Sequence, residues 1–201
     1  MSGISKDKIQ DYWANRVAEQ GINTVREPRQ RSAVDNPLFA ERKALVASVC
    51  PTDLLTLDYG CGIGRFADMF PRYVGYDIAD KLLEIAREHH PDKAFIQLEQ
   101  PYLPETVGIF ELFLAVTVLQ HADDPAVLQI FESLAKYGPK RVKLCLYENV
   151  PTQSRHMRGR TPAAYVNLLR RAGLEGTIIK QNSHVLHKVE HAVALIDARV
   201  V

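Results

Sequence analysis

The chain has 201 residues, 46% of them hydrophobic and 24% charged, enough to bury one sizeable core and too apolar to be disordered or fibrous. Twenty-five Lys and Arg against 24 Asp and Glu leave a net charge of +1, so no global field draws in nucleic acid or an anionic membrane, and any basic site must be local. No apolar run approaches the roughly 20 residues of a membrane-spanning helix.

Strand-like and helix-like segments alternate along the chain, which predicts an α/β fold with a largely parallel sheet. Residues 5–20 read as an amphipathic helix with Ile9, Trp13 and Val17 at helical spacing. The polar stretch 22–36, broken by Pro28, reads as a loop or lid. A second helix starts at Asn36-Pro37, with Asn as cap and Pro in the first turn, and runs to about Cys50. The repeating core begins at Leu54. LLTLDYG is a buried strand and GIGRFADMF opens a helix. RYVGYD is a second strand, followed by the helix DKLLEIAREHH. AFIQLE and FELFLAVTVL are the third and fourth strands, PAVLQIFESLAKY a helix, and KRVKLCLYE the fifth strand. TPAAYVNLLRRAGL is a helix capped by Thr161, with Gly173 near its end. GTIIKQN and HVLHKVEHAVALI complete the chain as an antiparallel pair of strands. All of 1–201 reads as one domain, with 1–50 a helical lid and 51–201 the α/β core.

The segment Leu57-Asp58-Tyr59-Gly60-Cys61-Gly62-Ile63-Gly64-Arg65-Phe66 carries the chemistry. Its glycines end a strand and are expected to lead directly into a helix. There the free N–H groups and positive dipole end suit a nucleoside or carboxylate lying across the strand ends. Asp77 ends the second strand, about 20 residues beyond the first, where a ribose diol is held in such folds. It could equally cap the helix that follows.

Dinucleotide binders use G-x-G-x-x-G, whereas here the third glycine, Gly64, comes one residue early. With Asp58 in front, the loop resembles the D-x-G-x-G-x-G motif of class I S-adenosylmethionine-dependent methyltransferases. VGYDIADKLLEIAREH is similar to that family's ribose strand and following helix. Phe110-Glu111-Leu112-Phe113 through Val118-Leu119-Gln120-His121 is similar to its fourth strand and exit. The resemblance spans residues 53–182 by order of elements. It implies a three-layer α/β sandwich with a seven-stranded, mostly parallel sheet, and methyl transfer from S-adenosylmethionine with S-adenosylhomocysteine as product. Residue by residue, it implies that Asp58, Gly60, Cys61 and Gly62 lie along the methionine part of the cofactor. Asp77 would bind the ribose, with Ile78 against the adenine and Glu99 at the adenine amino group. Most members carry Asp and then a small residue where this chain has Glu99-Gln100-Pro101. Trp13 and Arg16 lie in a Y-W-x-x-R segment similar to the helix that closes over the cofactor in several small-molecule members. Their other reading is an aromatic core anchor and a solvated Arg.

Beyond the fifth strand, residues 155–160 hold Arg155, His156, Arg158 and Arg160. Such a cluster could grip a carboxylate or phosphate on the acceptor, or it could be a solvated loop. The R-T-P-x-x-Y pattern also resembles the acceptor-side loop of small-molecule members. The (Asp/Asn/Ser)-Pro-Pro-aromatic motif of DNA amino-methyltransferases is replaced by Thr117-Val118-Leu119-Gln120-His121, so amino-group methylation of a base is disfavoured; RNA stays open but has no dedicated domain or basic tail, and a small-molecule acceptor is expected. His121, at the exit of the fourth strand, is the candidate catalytic base; its alternative is a brace for the turn at Asp123-Asp124-Pro125.

His184, His187 and His191 are spaced as H-x2-H-x3-H, but strand geometry does not put all three on one face, and no metal is expected. Cys50, Cys61 and Cys145 form neither a disulfide framework nor a zinc motif. With no signal-like stretch in MSGISKDKIQDYW, the expected compartment is the reducing cytoplasm. Two other functions stay open: a catalytically silent binding domain on the same fold, and a nucleotide-dependent oxidoreductase. The intact glycine loop and Asp77 weigh against the first, the early third glycine against the second.

Overall fold

The computed structural model describes residues 37–150, 153–154, 157–186 and 189–201. The expected helix at 5–20 and the polar stretch after it, with Trp13 and Arg16, lie outside the described residues. The described chain begins with helix α1 (Pro37–Val49). Strands β1 (Thr56–Tyr59) and β2 (Tyr73–Asp77), helix α2 (Asp80–His89), and strands β3 (Ala94–Gln97) and β4 (Leu112–Val116) follow. Helix α3 (Asp124–Tyr137) leads to β5 (Arg141–Asn149), a two-stranded ribbon of β6 (Gln153–Ser154) and β7 (Met157–Arg158), and helix α4 (Pro162–Arg171). Two long strands, β8 (Leu174–Leu186) and β9 (Val189–Val200), close the chain.

Seven strands form one sheet in the order β3-β2-β1-β4-β5-β9-β8. The first five are parallel, and β9 joins β5 and β8 antiparallel. This bears out the expected mostly parallel seven-stranded sheet. Alternation assigns its two faces. On β4, Phe113 and Ala115 join the core under α3 and α4, while Leu112 and Leu114 join the core under α1 and α2. Buried Val127, Ile130, Phe131 and Leu134 of α3 fill the first layer, with Tyr165, Leu168 and Leu169 of α4. Val46, Val49 and Cys50 of the α1 end fill the second, with Leu83 and Ala86 of α2. Helix α1, read from the sequence as part of a lid, is thus a layer of the sandwich.

Caps behave as their chemistry requires. Asp123 accepts the N–H of Ala126 to open α3, and Thr161 accepts that of Ala164 to open α4. The helix expected from Gly62 does not form. Residues 61–66 make turns, and only a short 3-10 segment, Ala67–Met69, follows. Gly64 has φ of +73°, a left-handed conformation that no α-helix contains. A Cβ there would also lie 2.9 Å from the Phe95 ring. The chain instead buries Phe66, Ala67 and Phe70 against the sheet.

The last hairpin also differs from expectation. HVLHKVEHAVALI is not one strand: β8 continues through Leu186 and β9 begins at Val189. No glycine, proline or Asn-Gly pair stands between Leu186 and Val189 to mark the break in the sequence.

Candidate functional site

The strand order reverses between β1 and β4, and in open α/β sheets ligands bind outside the carboxyl ends of strands at such a point. Gly60, just after β1, lies on that crevice with φ of +72°, and a Cβ there would fall 2.6 Å from both methyls of Val118. Backbone therefore reaches the strand exits with no side chain in between. Gly60 and Cys61 donate their N–H groups to the carbonyl of Tyr76 at 2.7 and 3.1 Å, which ties the loop to β2.

Asp77, at the end of β2, completes this arrangement. Its Oδ2 accepts the N–H of Gly62 at 2.8 Å and its Oδ1 that of Ala79 at 2.9 Å. Burial raises its pKa, and the N–H groups of Ala79, Gly62 and Ile78 oppose that rise. A carboxylate accepts at about four positions, so Asp77 keeps one after these bonds, which suits a hydroxyl-bearing ligand such as a ribose. Ile78, half-buried, is packed against the core beside it. Glu99 is exposed two residues beyond β3.

Asp58 faces inward, 2% exposed, and accepts the Tyr73 hydroxyl at 2.7 Å. Burial pushes its pKa up to about 7, with the Tyr73 hydrogen bond pulling it down and Asp77 adding to the rise. Cys61 is buried beside it, its thiol held well above the usual range by the same desolvation; a Cβ on Gly75 would lie 2.7 Å from its Sγ. Asp58 and Cys61 therefore line the underside of the glycine loop.

Across the crevice, the exit of β4 is clamped. Thr117 takes φ of +55°, uncommon for a β-branched residue, and its N–H is held by the Tyr147 carbonyl at 2.7 Å. Glu148, 2% exposed near the end of β5, accepts the N–H groups of Val118, Leu119 and Gln120 at 3.1, 2.8 and 3.2 Å. Burial pushes Glu148 up to about 8, against those three donors and the charge of Arg160. His121 ends this turn, with Nε2 at 3.4 Å from the Gln120 amide nitrogen. Sequence reasoning missed Glu148 and Gln120. The available signal was an acid closing an otherwise apolar strand, since a buried carboxylate needs local donors.

The expectation for Arg160 is corrected. Its Nε and Nη2 reach Asp124 Oδ1 at 2.8 and 2.7 Å, its Nη1 donates to the carbonyls of Leu119 and Arg158, and its Nη2 to that of Ala122. A guanidinium has five N–H donors, and these contacts occupy them all. Arg160 braces the β4 exit instead of waiting for an anion. Arg158 is exposed on the β6–β7 ribbon, while Arg155 and His156 lie outside the described residues. Glu111 orients structure: its Oε2 accepts from the Leu55 N–H and from Arg72. His184 and His191 pair across β8 and β9 and stack at 5.4 Å, with Tyr147 stacked on His191 at 5.5 Å; His187 lies outside the described residues.

A glycine loop joined to a strand-end carboxylate, over the switch point of a 3-2-1-4-5 sheet, defines an α/β domain built for a nucleoside-containing ligand. Residues 57–138 match the family model described as a methyltransferase domain. No curated protein matches the sequence. Among solved structures, the chain is similar to the N-methyltransferase NodS from Bradyrhizobium japonicum WM9 in complex with S-adenosylhomocysteine: TM-score 0.73, 14% identity, 93% of this chain and 98% of that one covered. It is also similar to magnesium protoporphyrin IX methyltransferase from Synechocystis PCC 6803 with bound S-adenosylhomocysteine: TM-score 0.66, 17% identity, 98% and 100% covered. The 4+2 cyclase SpnF shares the fold as well: TM-score 0.70, 14% identity, 100% of both chains covered. Among the described residues no helix is long and apolar enough to cross a membrane.

Proposed function

We propose that this chain is a class I S-adenosylmethionine-dependent methyltransferase, which binds S-adenosylmethionine across the glycine loop and transfers its methyl group to a small-molecule acceptor held over the exits of β4 and β5. The observation that carries this reading is the buried carboxylate of Asp77, bonded to the Gly62 N–H at the switch point. In that pose Asp77 receives the ribose hydroxyls, Ile78 flanks the adenine, and Gly60, Cys61 and Gly62 follow the methionine portion. The bound cofactor supplies an electrophilic methyl group on a sulfonium. The chain's own work is to align the acceptor, exclude water and take up a proton.

His121 is the residue proposed for that proton. It stands on a turn fixed from two sides, by the Glu148 carboxylate on its N–H groups and by Arg160 on its carbonyls. An imidazole titrates close to neutral pH, and a positioned base typically contributes about 10²–10⁴-fold. Arg158 is proposed to face the acceptor's polar end, with Arg155 and His156 beside it in sequence. Glu99 is proposed at the adenine amino group, and Trp13 and Arg16 over the cofactor.

The likeness to magnesium protoporphyrin IX methyltransferase supports a small acceptor. The likeness to a 4+2 cyclase keeps a second reading in play, a cofactor-binding fold put to other chemistry. A methyl-release assay over small acids, phenols, amines, sugar nucleotides and RNA decides between them. Turnover confined to small molecules is expected; turnover of RNA alone would refute the acceptor class, and binding of S-adenosylmethionine with no transfer to any acceptor would favour the second reading.

A further inference from the structure

Arg65 follows the glycine loop directly and bends back toward α1. Its guanidinium lies over the Phe39 ring, Cζ 3.7 Å from the ring centroid, and Arg42 approaches the same ring at 5.5 Å. Stacking satisfies the face of a guanidinium and leaves its edge to make hydrogen bonds. On that edge, Nε and Nη2 are buried and have no hydrogen-bond partner. These two atoms carry parallel N–H bonds, the side-on fork that matches the two oxygens of a carboxylate.

The surroundings heighten the mismatch. The acid nearest along the chain, Asp68, is taken: both of its oxygens accept from Lys43 Nζ, at 2.7 and 2.8 Å. The charge that acts on Arg65 is that of Arg42, and together with burial it lowers the Arg65 pKa to about 10. Two guanidiniums gathered on one ring, one with an unused buried fork, are an arrangement that an anion completes.

We propose that Arg65, supported by Arg42 and stacked on Phe39, forms an anion subsite at the lip of the glycine loop that receives a carboxylate. The carboxylate has two possible sources, the amino-acid end of the cofactor, which rests on the function proposed above, or an anionic group on the acceptor. This site lies on the α1 face, apart from Arg160.

The test uses the full chain with Arg65→Gln and Arg65→Lys; the lysine variant keeps the charge but loses the fork and stands in should the glutamine variant fold poorly. Calorimetry compares S-adenosylhomocysteine with its decarboxylated analogue, and inorganic phosphate is titrated separately against cofactor-free protein. A roughly tenfold preference for the carboxylated ligand in the unmodified chain, lost in both variants while analogue affinity holds, assigns the subsite to the cofactor. Equal affinity for the two nucleosides, with phosphate binding that disappears in the variants, assigns it to the acceptor. Unchanged nucleoside preference together with unchanged phosphate binding overturns the proposal. Should neither nucleoside bind the unmodified chain, the proposed function fails while the phosphate titration still decides for or against the subsite.

Discussion

The carboxylate of Asp77 accepts the backbone N–H of Gly62 at 2.8 Å, across the gap between the end of β2 and the loop that follows β1. One side chain thereby sets the distance between the two parts of the proposed cofactor site. It works from a rigid strand, whose neighbours β1 and β3 pair with it residue by residue. In Asp77→Asn, one of the two backbone donors, Gly62 or Ala79, meets an NH2 group in place of an acceptor. A loss of about 1–3 kcal/mol in folding stability is expected from urea unfolding; unchanged stability would show that the loop holds its shape without Asp77.

Asp58 makes stability depend on pH. Its folded pKa, about 7, lies above its ordinary value of 3.8, so the folded chain keeps a proton that the unfolded chain releases. Its contribution is full below about pH 4, falls as pH rises toward 7 and is level above that. Asp58→Asn retains an acceptor for the Tyr73 hydroxyl and removes the titration. The variant should gain on the unmodified chain between about pH 4 and pH 8, by on the order of 4 kcal/mol at most. Denaturation midpoints measured across that range check it, and parallel curves for the two proteins would contradict it.

Glu148 and Arg160 hold the turn that carries His121, and neither is free to meet a ligand. Arg160→Ala strips a buried carboxylate of a neighbouring charge and frees the carbonyls of Leu119 and Ala122. It should cost about 3–5 kcal/mol of stability. Asp124→Asn should cost under about 1 kcal/mol, because that partner's side chain is 62% exposed. The reverse order, or an Arg160 variant with intact stability and a raised acceptor KM, would return Arg160 to the acceptor site.

His121 as a base predicts that His121→Ala and His121→Gln both lose turnover at least about a hundredfold. Cofactor affinity should stay intact and the acidic limb of the pH–rate profile should vanish. Recovery of the rate in the glutamine variant would make the histidine a hydrogen-bonding brace.

Much of the frame was legible because local chemistry and global fold agree. Alternating apolar residues gave the strands, and Thr161-Pro162 opened α4 where it was expected. What escaped depended on contacts distant in sequence. Glu148 looks like an ordinary acid closing the fifth strand until β4 is laid beside β5 and brings the N–H groups of residues 118–120 to its carboxylate. Arg160 looked like one of a basic cluster, but three of its four partners, Asp124, Ala122 and Leu119, lie 36–41 residues away. The glycine loop was placed after β1 by its spacing and misjudged in its continuation, since the motif does not reveal that Gly64 takes a left-handed turn. The unpartnered edge of Arg65 has no sequence signature at all.

The central claim is that the nucleoside cofactor lies on the Gly60–Gly64 loop against Asp77. The most direct measurement is calorimetric titration of S-adenosylhomocysteine, with NAD as control, against the unmodified chain, Asp77→Ala and Gly62→Val. The account predicts binding of S-adenosylhomocysteine and not NAD. It also predicts a loss of roughly 1.5–3 kcal/mol in Asp77→Ala, where a charge-assisted pair to the ribose disappears, and a loss at least as large in Gly62→Val. Undiminished affinity in both variants would place the cofactor elsewhere and contradict the account.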